Sequence, residues 1–180
     1  MKLKIKKVGV IGAGQMGVGI SHVCAASGFD ITLVDLSEDI LSNAKITIDR
    51  NLERLLKRGK LSEEEKAAAL GRLSMSTIFS DIGDCDLVIE AATEDEEVKK
   101  NIYAKVCPVL KKEAILASNT SSISITRLAA QTDRPEQFIG VHFMNPAPLM
   151  ELIELISGIA TDQSVYDTIH EFVLKLGKTP

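Results

Sequence analysis

A histidine and a glutamate lie twelve residues apart near the end of the chain, in the segment HFMNPAPLMELIE from His142 to Glu154. An ionised carboxylate with apolar neighbours on both sides needs a partner, and a histidine can supply one through a hydrogen bond. Such a pair fixes the imidazole tautomer and raises its basicity, which suits a general base for an alcohol proton. A histidine at a strand end is more often structural when nothing else accompanies it, so this hypothesis depends on its surroundings.

Residues 12–17 read GAGQMG, a GxGxxG pattern between a short apolar run and a helical pattern. In a dinucleotide-binding turn, Gly12 allows the tight bend, Gly14 admits a pyrophosphate and Gly17 permits close helix packing. Asp35 closes the second predicted strand 23 residues after Gly12, where a carboxylate accepts ribose hydroxyls and repels a 2′-phosphate. The pattern predicts NAD as cofactor rather than NADP, and a glycine turn without a ligand is the alternative. The predicted cofactor-binding residues of this segment are Gly12, Gly14, Gln15, Met16 and Gly17.

Polar residues follow two further predicted strands, at the edge where open α/β sheets bind ligands. Glu94 lies in the loop after the fourth strand and could meet the nicotinamide ribose, and Lys99 follows about one turn into the next helix. Residues 118–122, SNTSS, follow the fifth strand, and Asn119 among them is a predicted cofactor contact. A charge at a helix N-terminus for Glu94, and turn or capping roles for some of the serines, remain alternatives.

Three arginines, Arg50, Arg54 and Arg58, recur at i, i+4 and i+8 on one predicted helix. In an otherwise acidic chain this basic stripe is a candidate landing site for a polyphosphate group. A solvated helix face explains it equally well, because Glu53 can pair with Lys57 across one turn.

Alternating strands and helices must position these residues. Predicted strands cover residues 8–11, 31–34, 74–78, 86–90, 114–117, 138–142 and 152–156, and predicted helices cover 16–27, a segment capped by Ser37, 61–70, 96–111, 125–130 and 162–176. This rhythm is typical of a doubly wound α/β fold, a mostly parallel sheet with helices on both faces. Capping fully explains Ser37, which is assigned no function.

The composition bounds the class of protein. The chain has 180 residues, 45% of them apolar and 26% charged, enough for one full domain and short for two. Its apolar runs fall far short of the roughly 20 residues that a membrane span needs. A net charge of −4 argues against a general nucleic-acid binder.

The cysteines and the N-terminus favour a reducing, cytoplasmic setting. Cys24, Cys85 and Cys107 are an odd number at wide spacing without a CxxC, which suggests neither a disulfide framework nor a metal site and predicts core cysteines. Residues 1–7 are basic, but the apolar run that follows is too short for a signal peptide.

Taken together, residues 12–17 (GAGQMG), 89–94 (IEAATE), 117–122 (ASNTSS) and 142–148 (HFMNPAP) resemble the 3-hydroxyacyl-CoA dehydrogenases from about Lys7 to Pro180. The order and spacing of several motifs make this resemblance specific. Two positions depart from the family pattern: Met144 stands where a second Phe is usual, and Glu151 where a basic residue is common.

The resemblance implies an NAD-dependent enzyme that interconverts (S)-3-hydroxyacyl-CoA and 3-oxoacyl-CoA. His142 would be the general base, Glu154 would orient it, and Ser121 would hydrogen-bond the reacting oxygen and so contact the substrate. Arg54 and Arg58 would contact the CoA phosphates. The implied NAD contacts are Asp35, Glu94, Lys99 and Asn145. Residues 1–180 would form the NAD-binding Rossmann domain, which in the family precedes an all-helical domain that dimerises and carries a further catalytic asparagine.

Two rival interpretations remain. The β-hydroxyacid dehydrogenases share a GxGxMG opening but generally use a catalytic lysine, and the pairing of His142 with Glu154 speaks against them. A non-catalytic dinucleotide-binding or structural protein, like the crystallins recruited from this family, is the alternative from a different class.

Overall fold

The computed structural model describes residues 4–180, so the first three residues of the basic N-terminal stretch lie outside the described part. Seven strands form a single sheet in the order β3-β2-β1-β4-β5-β6-β7. All neighbouring strands run parallel except β6 and β7, which are antiparallel. The strands are β1 (Lys7–Ile11), β2 (Asp30–Val34), β3 (Leu73–Ser76), β4 (Leu87–Glu90), β5 (Ile115–Ser118), β6 (Phe138–Phe143) and β7 (Ile153–Ser157).

Within residues 4–180, six α-helices cover both faces of the sheet, five of them between strands and the sixth after β7. They are α1 (Gln15–Ala26), α2 (Glu38–Lys57), α3 (Glu63–Gly71), α4 (Glu96–Val106), α5 (Ile125–Ala129) and α6 (Gln163–Lys175). Side chains from α1, α2 and α6 join one hydrophobic cluster, and those from α4 and α5 join a second on the opposite face. The predicted doubly wound α/β class is confirmed. Cys24, Cys85 and Cys107 are free and buried, as predicted.

Capping residues that were predicted from the sequence mark the N-termini of two helices. The Ser37 hydroxyl accepts a hydrogen bond from the Ile40 N–H at 3.4 Å and caps α2. Ser62 and Glu65 form a reciprocal capping box that begins α3.

Two predicted elements extend too far. The helix predicted over 96–111 ends at Val106, because Pro108 lacks an N–H and its ring clashes with the preceding turn, and the chain continues as a 3-10 turn. The strand predicted over 74–78 ends at Ser76, whose hydroxyl accepts a hydrogen bond from the Ile78 N–H at 3.0 Å and turns the chain.

The chain changes direction across the sheet between β1 and β4. It runs from β1 to β2 and β3 on one side and then returns to β4 beside β1. A crevice opens at such a switch point, at the carboxyl ends of the strands. The glycine turn after β1, the loop with Glu94 after β4 and the serine-rich loop after β5 therefore meet at one edge.

The last residues pair with the edge strand β7. The Thr179 N–H donates to the Glu151 carbonyl and the Ile153 N–H donates to the Thr179 carbonyl, both at 2.9 Å. The Lys178 ammonium lies among the carbonyls of Ala147, Pro148 and Met150 at 2.7–3.4 Å and thereby holds the proline-rich loop that follows His142.

Among residues 4–180, no helix is long and apolar enough to cross a bilayer.

Candidate active site

The turn between β1 and α1 has the shape of a phosphate cradle. Gly12 has φ +99°, and a Cβ there would lie 2.7 Å from the Ala91 carbonyl oxygen. A Cβ at Gly17 would lie 1.7 Å from the Gly12 carbonyl oxygen, whereas a Cβ at Gly14 would meet nothing within 4 Å. The backbone therefore has no room for a side chain at Gly12 or Gly17. At Gly14 the absence of a side chain leaves open space beside the turn.

The helix N-terminus beside this space is suited to an anion. α1 begins at Gln15 and Met16, and its N-cap, Gly14, has no side chain to satisfy the first-turn N–H groups. Such groups bind phosphates through hydrogen bonds and the helix dipole. The Met16 side chain packs against the core, so its contribution here is its backbone N–H. The residues present fit the pyrophosphate of a dinucleotide.

Asp35 lies beside the glycine turn at the end of β2. Its Oδ2 accepts from the Ala13 N–H and its Oδ1 from the Leu36 N–H, both at 2.7 Å. The carboxylate lines a cavity of about 510 Å³ together with Gly12 and Gly14. Each carboxylate oxygen can accept more than one hydrogen bond, so Asp35 can hold the turn and still accept from ribose hydroxyls.

Glu94 binds the serine-rich loop. Its Oε1 accepts from the Thr120 hydroxyl at 2.5 Å and from the N–H groups of Ser121 and Ser122 at 2.9 and 3.1 Å. The two serine hydroxyls donate to the same oxygen at 3.3 and 3.1 Å. The loop thus converges on one carboxylate oxygen.

The same contacts set the charge of Glu94. Partial desolvation opposes ionisation, but hydrogen bonds from Thr120, Ser121 and Ser122, together with the nearby Lys99 ammonium, outweigh it and lower the Glu94 pKa to about 2. Glu94 is therefore ionised throughout the physiological range.

This lowered pKa predicts an acid-sensitive contribution to stability. Because the folded-state pKa lies below the ordinary value, the ionised carboxylate stabilises the folded chain fully above about pH 4.5, and the contribution disappears as the pH falls toward about 2. We expect Glu94→Gln to lower the urea midpoint at about pH 6, and we expect this difference from the parent to shrink steadily as the pH falls toward about 2. Glu97→Gln, an exposed position on α4, is the control and should show no such convergence.

A buried cluster lies beneath Glu94. Glu90, at the end of β4, is fully buried, and its Oε1 accepts from the Lys99 ammonium at 2.7 Å. Lys99 is 1% exposed and also lies 3.5 Å from Glu94 Oε2. The family resemblance implied Lys99 as an NAD contact, whereas its ammonium lies between Glu90 and Glu94. The missed signal is spacing, because Lys99 and Tyr103 are four residues apart and share one face of α4.

His142 and Glu154 lie directly opposite each other on the antiparallel strands β6 and β7. His142 Nδ1 lies 2.8 Å from Glu154 Oε2. The predicted contact is present, but the apolar environment expected around Glu154 is wrong. Glu154 is 52% exposed, and its neighbours Leu152 and Ile156 are exposed too. The opposite face of β7 packs against the core through Ile153.

The pair shares a cavity of about 310 Å³ with Ser121, and part of α5 lines its other side. Asn119 Oδ1 accepts from the Phe143 N–H at 2.8 Å and ties the end of β5 to the strand that carries His142. Asn145 Oδ1 accepts from Gln15 Nε2 at 3.1 Å, which links the loop after His142 to the start of α1. Both amides therefore join the histidine region to its neighbours.

Arg54 and Arg58 line a separate groove of about 890 Å³ between α1, α2 and the proline-rich loop. Gly14 and Asn145 also line this groove, so it reaches the glycine turn. Glu53 pairs with Lys57 at 3.4 Å, as the solvated-face alternative requires, but that pair leaves both groove arginines available.

Comparison with known proteins identifies the family of this chain. The family described as 3-hydroxyacyl-CoA dehydrogenase, NAD binding domain, matches residues 7–180. A 3-hydroxybutyryl-CoA dehydrogenase from Bradyrhizobium diazoefficiens is 60% identical over 99% of this chain and 61% of its own length. The mitochondrial hydroxyacyl-coenzyme A dehydrogenase of Rattus norvegicus is 41% identical over 99% of this chain and 59% of its own length.

A solved structure extends the similarity to the fold. The crystal structure of an (S)-3-hydroxybutyryl-CoA dehydrogenase from Ralstonia eutropha has a TM-score of 0.96 and 44% identity, and the match covers 98% of this chain and 62% of that one. The chain thus spans about three fifths of the length of these relatives. The resemblance read from the motifs is confirmed, and the family description confirms NAD as the cofactor. The chain belongs to the 3-hydroxyacyl-CoA dehydrogenase family and matches the NAD binding domain of that family.

Proposed function

We propose that this chain forms the cofactor site and most of the catalytic site of an enzyme that interconverts (S)-3-hydroxyacyl-CoA and 3-oxoacyl-CoA with NAD. The observation that carries the proposal is the contact of His142 Nδ1 with Glu154 Oε2 at 2.8 Å, in a cavity shared with Ser121. The names of the relatives support this substrate class, and 3-hydroxybutyryl-CoA is the substrate in the name of the Bradyrhizobium protein.

Proton transfer in this mechanism belongs to His142. With Nδ1–H donated to Glu154, the imidazole carries its lone pair on Nε2, which accepts the proton of the C3 hydroxyl. The Glu154 carboxylate holds the ring and stabilises the imidazolium that forms. The Ser121 hydroxyl hydrogen-bonds the reacting oxygen. NAD, when bound, supplies the acceptor for the hydride that leaves C3.

The cofactor contacts are proposed from where the side chains lie. First-turn N–H groups of Gln15 and Met16 would bind the pyrophosphate, and Asp35 would accept from the adenosine ribose. The contacts proposed for the nicotinamide half are Glu94, Asn119 and Asn145. Lys99, which is 1% exposed, would act on this half through Glu94.

A reductase assay tests the proposal. Acetoacetyl-CoA reduction is followed by NADH absorbance in this chain and in a chimera that continues after Pro180 with the remainder of the Bradyrhizobium relative. We expect both proteins to bind NADH and the chimera to turn over. A chimera that binds NADH but reduces no 3-oxoacyl-CoA of any chain length contradicts the enzyme proposal and favours a non-catalytic dinucleotide-binding protein.

The groove arginines supply a second test, of the CoA site. We expect Arg54→Glu with Arg58→Glu to raise KM for acetoacetyl-CoA in the chimera by about tenfold or more, because charge-assisted contacts to phosphates are lost. KM for the N-acetylcysteamine thioester, which lacks the nucleotide, should change far less. Arg50→Glu, on the same helix but outside the groove, is the matched control. An equal loss for both thioesters would indicate general damage to α2.

Two further features of the whole protein are proposals. Three buried free thiols are compatible with a reducing compartment, and we propose the cytoplasm. A homodimer is proposed for the longer protein by analogy with the family, and size-exclusion chromatography of the chimera checks it.

A further inference from the structure

Glu90 is the centre of a hydrogen-bonded cluster inside the sheet. Its Oε1 accepts from the Ala92 N–H and the Lys99 ammonium, both at 2.7 Å. Its Oε2 accepts from the Tyr103 hydroxyl at 3.0 Å and the Ser118 hydroxyl at 2.7 Å. Glu90, Lys99, Tyr103 and Ser118 are each no more than 1% exposed. Four donors on one carboxylate satisfy a charge that would otherwise be costly to bury.

Lys99 connects this cluster to the surface. Its ammonium lies 2.7 Å from Glu90 Oε1 and 3.5 Å from Glu94 Oε2. One cation thus lies between two carboxylates, one wholly buried and the other 40% exposed. Glu90 holds the Lys99 ammonium in place. The position of this positive charge beside Glu94 is therefore fixed by buried contacts.

The two oxygens of Glu94 have different partners. Oε2 is the oxygen near Lys99, and Oε1 is the oxygen on which Thr120, Ser121 and Ser122 converge. An ammonium on one side and five donors on the other leave the carboxylate a single favourable orientation. The loop that carries Ser121 is therefore organised before any ligand binds, which lowers the ordering cost of binding.

We infer that Glu90 and Lys99 are positioning residues, which hold Glu94 in the orientation that fixes the Ser121 loop for the reaction. The inference rests on the proposed function for the role of Ser121, but the positioning itself is a property of the ligand-free chain. It assigns Glu94 a task besides contact with NAD, and it gives a task to Glu90 and Lys99.

A double substitution distinguishes a positioning role of Glu90 and Lys99 from a contribution to core packing alone. Glu90→Gln with Lys99→Met removes both buried charges together, and replacing a buried ion pair in this way is often neutral for stability. The glutamine keeps the shape of Glu90, and Tyr103 and Ser118 can accept from its amide. Glu97→Gln with Lys100→Met is the matched control, because this exposed pair on the same helix undergoes the same change of charge.

Amide hydrogen exchange in the ligand-free chain provides the first readout. We expect the Ser121 and Ser122 N–H groups to exchange about tenfold faster or more in the buried double variant and at the parent rate in the control. NMR titration of the Glu94 carboxyl is the second readout, and its pKa should rise from about 2 toward the ordinary value in the buried variant alone. Unchanged exchange and titration in a folded Glu90→Gln, Lys99→Met variant would overturn the inference.

Glu94→Gln keeps the test decisive if the buried variant does not fold. The glutamine turns its carbonyl oxygen toward the Lys99 ammonium and so presents its NH₂ group to the loop donors. The Ser121 and Ser122 N–H groups must then exchange faster, and parent rates would overturn the inference. Since neither readout requires substrate, its failure is distinct from a failure of the dehydrogenase proposal.

Discussion

His142→Gln is expected to lower kcat of the chimera by about 10²- to 10⁴-fold, the range of a lost general base. Glutamine cannot donate or accept a proton near neutral pH, so in the reduction that the assay follows the C3 oxygen must take its proton from water. NADH affinity should stay within about twofold of the parent, because the proposed cofactor contacts lie on other side chains. Steady-state reduction of acetoacetyl-CoA and NADH fluorescence titration measure the two quantities.

Substitutions at two nearby glutamates refine this test. Glu154→Gln should also lower kcat, because it removes the carboxylate that holds the ring and stabilises the imidazolium that donates the proton in the reduction. Glu151→Gln, at an exposed position three residues earlier, should retain the parent rate. Equal turnover in His142→Gln and the parent would remove His142 from the mechanism, and a loss of NADH binding would point to damage of the site.

Gly17→Ala is expected to abolish NADH binding and to destabilise the chain, whereas Gly14→Ala is expected to impair binding alone. A Cβ at Gly17 would lie 1.7 Å from a backbone oxygen of the same turn, so the turn or α1 has to move. We expect the free energy of unfolding to fall by about 3 kcal/mol or more, the upper range for overpacking. Urea unfolding and NADH titration give the two values.

Gly14 is the matched comparison because it lies in the same turn. Its φ of −72° suits alanine, and a Cβ there meets nothing within 4 Å, so stability should fall by no more than about 1 kcal/mol. The methyl group would occupy the space that faces the first turn of α1, and NADH affinity should drop by about tenfold or more. Parent affinity in Gly14→Ala would show that the pyrophosphate does not lie over this turn.

Much of the fold was predictable from local patterns. The β1 strand, the glycine turn and α1 follow from an apolar run, GAGQMG and a helical stripe, and Ser37 and Ser62 mark the helix starts that the structure has. The predicted ends failed at Pro108 and Ser76, where one residue interrupts an otherwise continuous pattern. Local periodicity identifies an element well and its last turn poorly.

The contact of His142 with Glu154 was predictable from the sequence, but its surroundings were not. His142 and Glu154 were paired through an expected apolar environment, yet the strands place them opposite each other on an open face. The Glu90 cluster was missed because its members come from β4, α4 and β5, and no spacing along the chain brings those three elements together.

The class of fold and the glycine turn follow from the chain alone, because each depends on patterns of residues close in sequence. Which oxygen of Glu94 faces Lys99, where the open face of β7 lies, and how Asp35 meets the turn at Ala13 depend on strand order and register. The contacts of Asp35 with Ala13 and of Glu94 with the serine-rich loop join residues 22–28 positions apart, and the exposed side of β7 is one of the two faces of a strand. Hydrophobic burial and backbone pairing across the whole sheet establish these features only in the folded chain.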